Sequence, residues 1–99
     1  MRVVLSPQTE RDLEQIGDYI ALDNPRRALT FIAEMNAKCL KLGVVPGLGS
    51  ARPEFGDGIR MLPHGRYLIF YREYPAEIRI ERIMRGARDI GSADFDADE

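Results

Sequence analysis

A single cysteine, a single histidine and the lack of any long apolar run set the first limits on this chain. Cys39 by itself forms neither an internal disulfide nor a cysteine metal cluster. It falls in an apolar stripe at helical spacing, which predicts a buried, inert thiol and not a nucleophile. One histidine excludes a multi-histidine metal site and makes a Ser-His-Asp triad a poor fit. His64 stands in Pro-His-Gly-Arg, a turn sequence, so a solvated position is expected. No span approaches the length of a membrane helix, and the apolar run in MRVVLSPQTE is too short for a secretory signal. The expectation is a cytoplasmic protein without a membrane partner.

Lysine is missing from residues 52–89, which hold eight arginines against Glu54, Asp57, Glu73, Glu77, Glu81 and Asp89. Arginine is preferred where a planar fork must meet carboxylate or phosphate, or stack on a ring. The local surplus is small and the net charge is −2, so affinity for bulk nucleic acid does not follow. The final ten residues carry Asp94, Asp96, Asp98 and Glu99 and no base. With 99 residues, 44% apolar and 30% charged, the chain reads as one globular domain over 1–90. Residues 91–99 read as an acidic, disordered tail.

Helix signals are concentrated in the first half. Arg2 to Leu5 is a short apolar strand, and Ser6-Pro7 supplies a cap followed by proline at the first helical position. Leu13, Ile16 and Ile20 recur at helical spacing with Tyr19 at their flank, predicting a helix from about 7 to 22. Glu10, Asp12, Glu14, Gln15 and Asp18 are expected to face away. Asn24-Pro25 repeats the cap-then-proline pattern and opens a second helix with the stripe Ala28, Ile32, Met35, Cys39, Leu42. Gly43 is expected to stop it. The two helices form an antiparallel hairpin. The stretch 43–58 is rich in glycine and proline and reads as loop; Gly47-Leu48-Gly49 is turn chemistry, since no helix follows to make a phosphate cradle.

Three short β-like runs follow: Ile59 to Leu62, Arg66 to Arg72 and Glu77 to Met84, joined by turns at Pro63-His64-Gly65 and Glu73–Ala76. The fold class is α+β, a helical hairpin on one face of a small antiparallel sheet, with a C-terminal three-strand meander and the N-terminal strand pairing at one side. In Tyr67-Leu68-Ile69-Phe70-Tyr71 both faces of the strand are apolar, although two helices cover only one. Either another chain or the twisted sheet itself covers the second face. Strict alternation puts Arg82 on the face of Ile78, Ile80 and Met84, so this charge needs a partner. A structural ion pair is expected, with Glu54 one carboxylate in reach.

Taken in order, LSPQTERDLEQIGDYI, NPRRALTFIAEM, PGLGSARPEF, GIRMLPHGRYLIFYR and IRIERIMRGARDI resemble the ParE branch of the RelE/ParE toxin superfamily over nearly the whole chain. The resemblance implies a toxin of a type II toxin–antitoxin module. It would be neutralised by a ParD-like antitoxin whose C-terminal arm wraps over helices and sheet, and would act on DNA gyrase. It implies neither cofactor nor metal, and no sequence-specific nucleic-acid binding. The related RelE-type toxins cut messenger RNA and need a proton-handling side chain beside their phosphate-gripping bases. Here the closing motif, His-Gly-Ala-Arg-Asp in ParE relatives, is Arg85-Gly86-Ala87-Arg88-Asp89, and no tyrosine follows Tyr74. An arginine stays protonated and moves no proton near neutral pH; Glu81 reads as an ion-pair partner. A binding toxin, not an enzyme, is therefore expected, with no catalytic residue. The alternatives are a ribosome-dependent endoribonuclease and a fold that binds antitoxin but has lost toxicity. Arg60, Arg66, Arg82, Arg85 and Arg88 are the candidates for gripping target or phosphate. Leu13, Ile16, Tyr19, Ile20, Tyr67 and Tyr71 are the candidates for antitoxin contact.

Overall fold

The computed structural model describes residues 1–87 and 89–95. Strand β1 (Arg2–Leu5) leads into helix α1 (Pro7–Asp23) and helix α2 (Pro25–Val44); then come β2 (Ser50–Ala51), β3 (Arg60–His64), β4 (Tyr67–Tyr74) and β5 (Glu77–Arg85). The helices start where the capping signals place them. Ser6 Oγ accepts from the Thr9 amide at 3.0 Å, and Pro7 follows. Asn24 serves both helices: its amide donates to Ile20 O, and its side chain accepts from the Arg27 amide. Each such cap contributes about 1 kcal/mol, and the one-residue link turns the two amphipathic helices back on each other.

Gly43 does not end α2. The helix runs through it to Val44, and Gly43 is needed for close approach, because a Cβ there would collide with the Met1 carbonyl. The Met1 ammonium donates to Gly43 O at 2.7 Å, which fastens the start of β1 to the end of α2. The stretch read as loop is more ordered than expected. It contains 3-10 turns at Pro46–Leu48 and Pro53–Phe55 and the two-residue β2.

The sheet order is β1-β5-β4-β3-β2, with β1 parallel to β5 and every other pair antiparallel. The helical hairpin covers one face. There Leu13 of α1 and Phe31, Met35, Cys39 and Leu42 of α2 pack on Tyr67, Ile69, Tyr71, Ile78, Ile80 and Ile83. Cys39 is buried here, and burial pushes its thiol up to about 11, so it is neutral and inert at ordinary pH.

On the second face of β4 the chain covers itself. Phe70 packs with Ile59, Met84 and Phe95, flanked by Phe55 and Met61. The Phe70–Phe95 ring centroids are 5.0 Å apart and the Phe55–Phe70 centroids 5.5 Å, both in edge arrangements. Phe95 reaches this cluster from a 3-10 turn at Ser92–Phe95. The segment expected to be a disordered tail from 91 thus includes this turn, and residues 96–99 lie outside the described residues.

Tyr71 holds the inter-helix-to-sheet loop. Its hydroxyl donates to Pro46 O at 2.7 Å and accepts from the Gly49 amide at 2.8 Å, and no side chain fits at Gly49 beneath it. Tyr71→Phe leaves a buried amide without a partner and should cost about 1–3 kcal/mol in urea unfolding, with an unchanged denaturant slope.

Candidate functional site

Strand β1 pairs with β5 only from Glu77 to Ile80, so the rest of that edge of β5 needs other partners. Helix α1 supplies them. The Ser6 amide and the Thr9 hydroxyl both donate to Ile80 O, the Ser6 hydroxyl donates to Glu81 O, and Asp12 Oδ2 accepts from the Ile83 amide at 3.1 Å. Ser6, Thr9 and Asp12 are spaced by three, hence on one side of the helix start. All three are buried, so Asp12 faces inward, contrary to the apolar periodicity.

A bulge accompanies this seating. Phe70 stands opposite Arg82 and Tyr71 opposite Ile80, leaving Glu81 as the extra residue. Strict alternation fails beyond it: Ile83, not Arg82, joins Ile78 and Ile80 in the core under the helices. Arg82 turns to α1, where its Nε and Nη2 donate to the two oxygens of Asp12 at 2.8 and 2.9 Å; Nη1 donates to Asp94 O at 2.9 Å. The partner is thus Asp12 and not Glu54, which is exposed. Arg82 is 8% exposed and Asp12 6%, so this pair is internal. Glu81 is equally committed: its two oxygens meet Arg72 at 2.9 Å and Arg79 at 3.2 Å, screening two arginines that stand opposite each other across β4 and β5.

Above this anchored edge α1 leaves a groove. Two adjoining pockets of about 300 and 360 Å³ share Tyr19, Tyr67 and Arg85. Ile16, Tyr19 and Ile20 form the helix wall, Phe31 and Tyr67 the floor, and Arg27, Arg66 and Arg85 the rim. His64 lines the same groove. It is half-buried instead of solvated, its Nε2 lying 3.4 Å from Glu34 Oε1 and its ring 6.0 Å from that of Phe31. Glu34 also holds Arg27 at 2.8 Å. That hydrogen bond keeps the carboxylate below its usual range and the guanidinium above its own. On the other side of α1 a separate trough of about 530 Å³ runs between the helices, lined by Leu13, Gly17, Ala21, Ala28, Leu29 and Ile32.

The candidates therefore divide. Arg66 and Arg85 meet at the groove, while Arg82 is spent on Asp12. Arg60 is spent on the loop, donating to Gly49 O at 3.0 Å. Arg88 lies outside the described residues. Ile16, Tyr19, Ile20 and Tyr67 line the groove, but Tyr71 is fully buried and Leu13 is a core residue at the base of the trough. Tyr71 is corrected from contact residue to internal pin, because its hydroxyl is consumed by the loop. Arg27, His64 and Phe31 are groove residues that sequence reading missed. Among the described residues no cluster of three or more His, Cys, Asp or Glu is placed to hold a metal, and no helix is long and apolar enough to cross a membrane.

Two helices on a five-strand mixed sheet, with an arginine-edged groove at the side, define a small α+β domain. The model of the family described as the ParE toxin of the type II toxin–antitoxin system parDE matches residues 3–90, and the chain belongs to that family. A solved structure titled "Chromosomal ParDE TA system from P. aeruginosa" is similar at 26% identity with a TM-score of 0.76, over 86% of this chain and 95% of that one. Among curated proteins no sequence matches significantly.

Asp12→Ala strands a buried guanidinium and should cost about 3–5 kcal/mol, whereas Asp12→Leu with Arg82→Met should recover most of it. Arg66→Ala and Arg85→Ala should each stay within about 0.5 kcal/mol of the parent. Equilibrium denaturation of the four variants checks both statements.

Proposed function

We propose that this ParE-family toxin acts by binding, that its target is DNA gyrase, and that a ParD-like antitoxin holds it inactive. The observation that carries the binding reading is the division of charge around the groove. Asp12, Glu81 and Arg82 are consumed in internal pairs, while among the described residues no ion pair takes up Arg66 or Arg85 at the rim. Such a rim supplies charge-assisted contacts to an acidic surface. The two sides of α1 support the mode of neutralisation. The apolar trough, where Leu29 is 75% exposed, suits an amphipathic helix, and the arginine groove suits an acidic extended segment following it.

His64 favours a second reading. It lies beside Arg66 with a carboxylate behind it, so a histidine able to move a proton does face the cationic groove. On that reading the chain is a ribosome-dependent endoribonuclease.

One set of measurements separates them. Purified, folded chain added to gyrase should inhibit supercoiling and stabilise a cleaved DNA complex, and the antitoxin should reverse both. His64→Ala should retain growth arrest. Gyrase left untouched, with codon-phased message cleavage that His64→Ala abolishes, would decide for the nuclease.

A further inference from the structure

We propose that Arg66, Arg85 and Tyr19 form a binding site for a single-stranded polynucleotide, two guanidinium groups taking phosphates and the tyrosine a base. The inference stands apart from the gyrase reading and from the antitoxin: it concerns what the isolated chain holds.

Apart from Arg26, which is exposed and lines neither pocket, the other described arginines are committed. Arg2 is paired with Glu77, Arg27 with Glu34, Arg72 and Arg79 with Glu81, and Arg82 with Asp12. Arg11 donates to Gln8, Arg52 to Ala51 O and Arg60 to Gly49 O. Among the described residues, the side chains of Arg66 and Arg85 meet no acid and no carbonyl. The backbone holds the two together: Arg85 stands opposite Tyr67 in the β4–β5 ladder, and the Gly86 amide donates to Arg66 O at 2.8 Å. Two uncommitted cations on neighbouring strand ends, lining one pocket without a lining acid, make a receptor for a divalent or repeating anion.

The aromatic wall selects among anions. Tyr19 is 62% exposed on the helix side of the same pocket, with the Tyr67 and Phe31 rings beneath it. A nucleobase offers a π-face to such a ring, and an acidic peptide backbone does not. Pockets of about 300 and 360 Å³ take an unstacked base, whereas a duplex keeps its bases inside the helix. The chain's net charge of −2 gives no general attraction to polyanions, so binding must come from these contacts. Two neutralised phosphates set a shallow salt dependence, with a slope of about −1.4 on logarithmic axes.

Fluorescence anisotropy of the full chain against short labelled oligonucleotides tests this. Single-stranded DNA and RNA and a duplex of equal length are titrated across a salt series; whichever single strand binds better names the source. Binding should favour a single strand over duplex. Arg66→Gln and Arg85→Gln should each flatten the slope by about 0.7, and Tyr19→Leu should weaken binding about tenfold. Arg26→Gln, an exposed arginine outside the groove, should change nothing, and circular dichroism confirms folding of each variant. The proposal is overturned if the folded chain binds no single strand at low salt, or if duplex binds as tightly. It is equally overturned if Arg26→Gln matches the groove variants.

Discussion

Strand β1 stops at Leu5 while its neighbour β5 continues to Arg85, and the way that bare edge is satisfied governs the rest of the molecule. An uncovered strand edge is both a set of unpaired polar groups and a template for association with other chains. Here the chain leaves β1 directly into α1, and the helix start lays Ser6, Thr9 and Asp12 against Ile80, Glu81 and Ile83. Each of those bonds, left unmade in a buried site, would cost about 1–3 kcal/mol. The contact fixes where α1 begins and along which line it runs. The position of α1 in turn sets the wall of the groove and one bank of the trough.

The same constraint explains why arginine is used in two ways. The bulge at Glu81 sends Arg82 over the edge to Asp12 and leaves Glu81 between Arg72 and Arg79. A planar fork that bonds both oxygens of a carboxylate suits these crowded, part-buried places; a lysine ammonium does not. Past the bulge the strand end carries Arg85 with no internal task. Chemistry of the proton-transfer kind needs groups whose protonation is free to change. Beside β5, Glu81 and Asp12 are both held in ion pairs with guanidinium groups.

Much of the fold was legible because its signals are local. Ser6-Pro7 and Asn24-Pro25 mark helix starts through backbone chemistry that acts within three residues, and alternation in Tyr67–Tyr71 assigned the two faces of β4 correctly. What escaped depends on contacts between residues far apart in sequence. Asp12 was assigned outward because apolar periodicity has no term for a polar residue seeking a bare strand edge. Arg82 was assigned with Ile80 and Met84 because a bulge of one residue reverses alternation and leaves no mark in a single sequence. Tyr71 and Tyr67 share a face, but only the loop at Pro46–Gly49 tells that one is a pin and the other lines a groove. Phe95 sits in an acidic stretch whose composition predicts disorder, and its ring packs on Phe55 and Phe70. The groove itself was half legible: Arg66, Arg85, Tyr19 and Tyr67 were named, while Arg27 and His64 needed the α2-to-turn contact through Glu34.

Placement of both candidate surfaces on one helix has a consequence for control. The trough and the groove are opposite flanks of α1, so a single partner crossing that helix occupies both. Blocking then needs no change of shape in the toxin, because whatever Arg66 and Arg85 would otherwise hold is displaced from the same rim. The body beneath is unsuited to a switch. Its core is continuous from α2 to β5, the buried polar side chains among the described residues are paired, and the edge of β5 is tied to α1 by several bonds in one short stretch. On the proposed reading, inhibition is therefore competition for exposed groups on a rigid frame. The affinity of an antitoxin arm would then depend on its acids at the rim and its apolar side chains in the trough, and these two contributions would add, since the sites are separated by the helix.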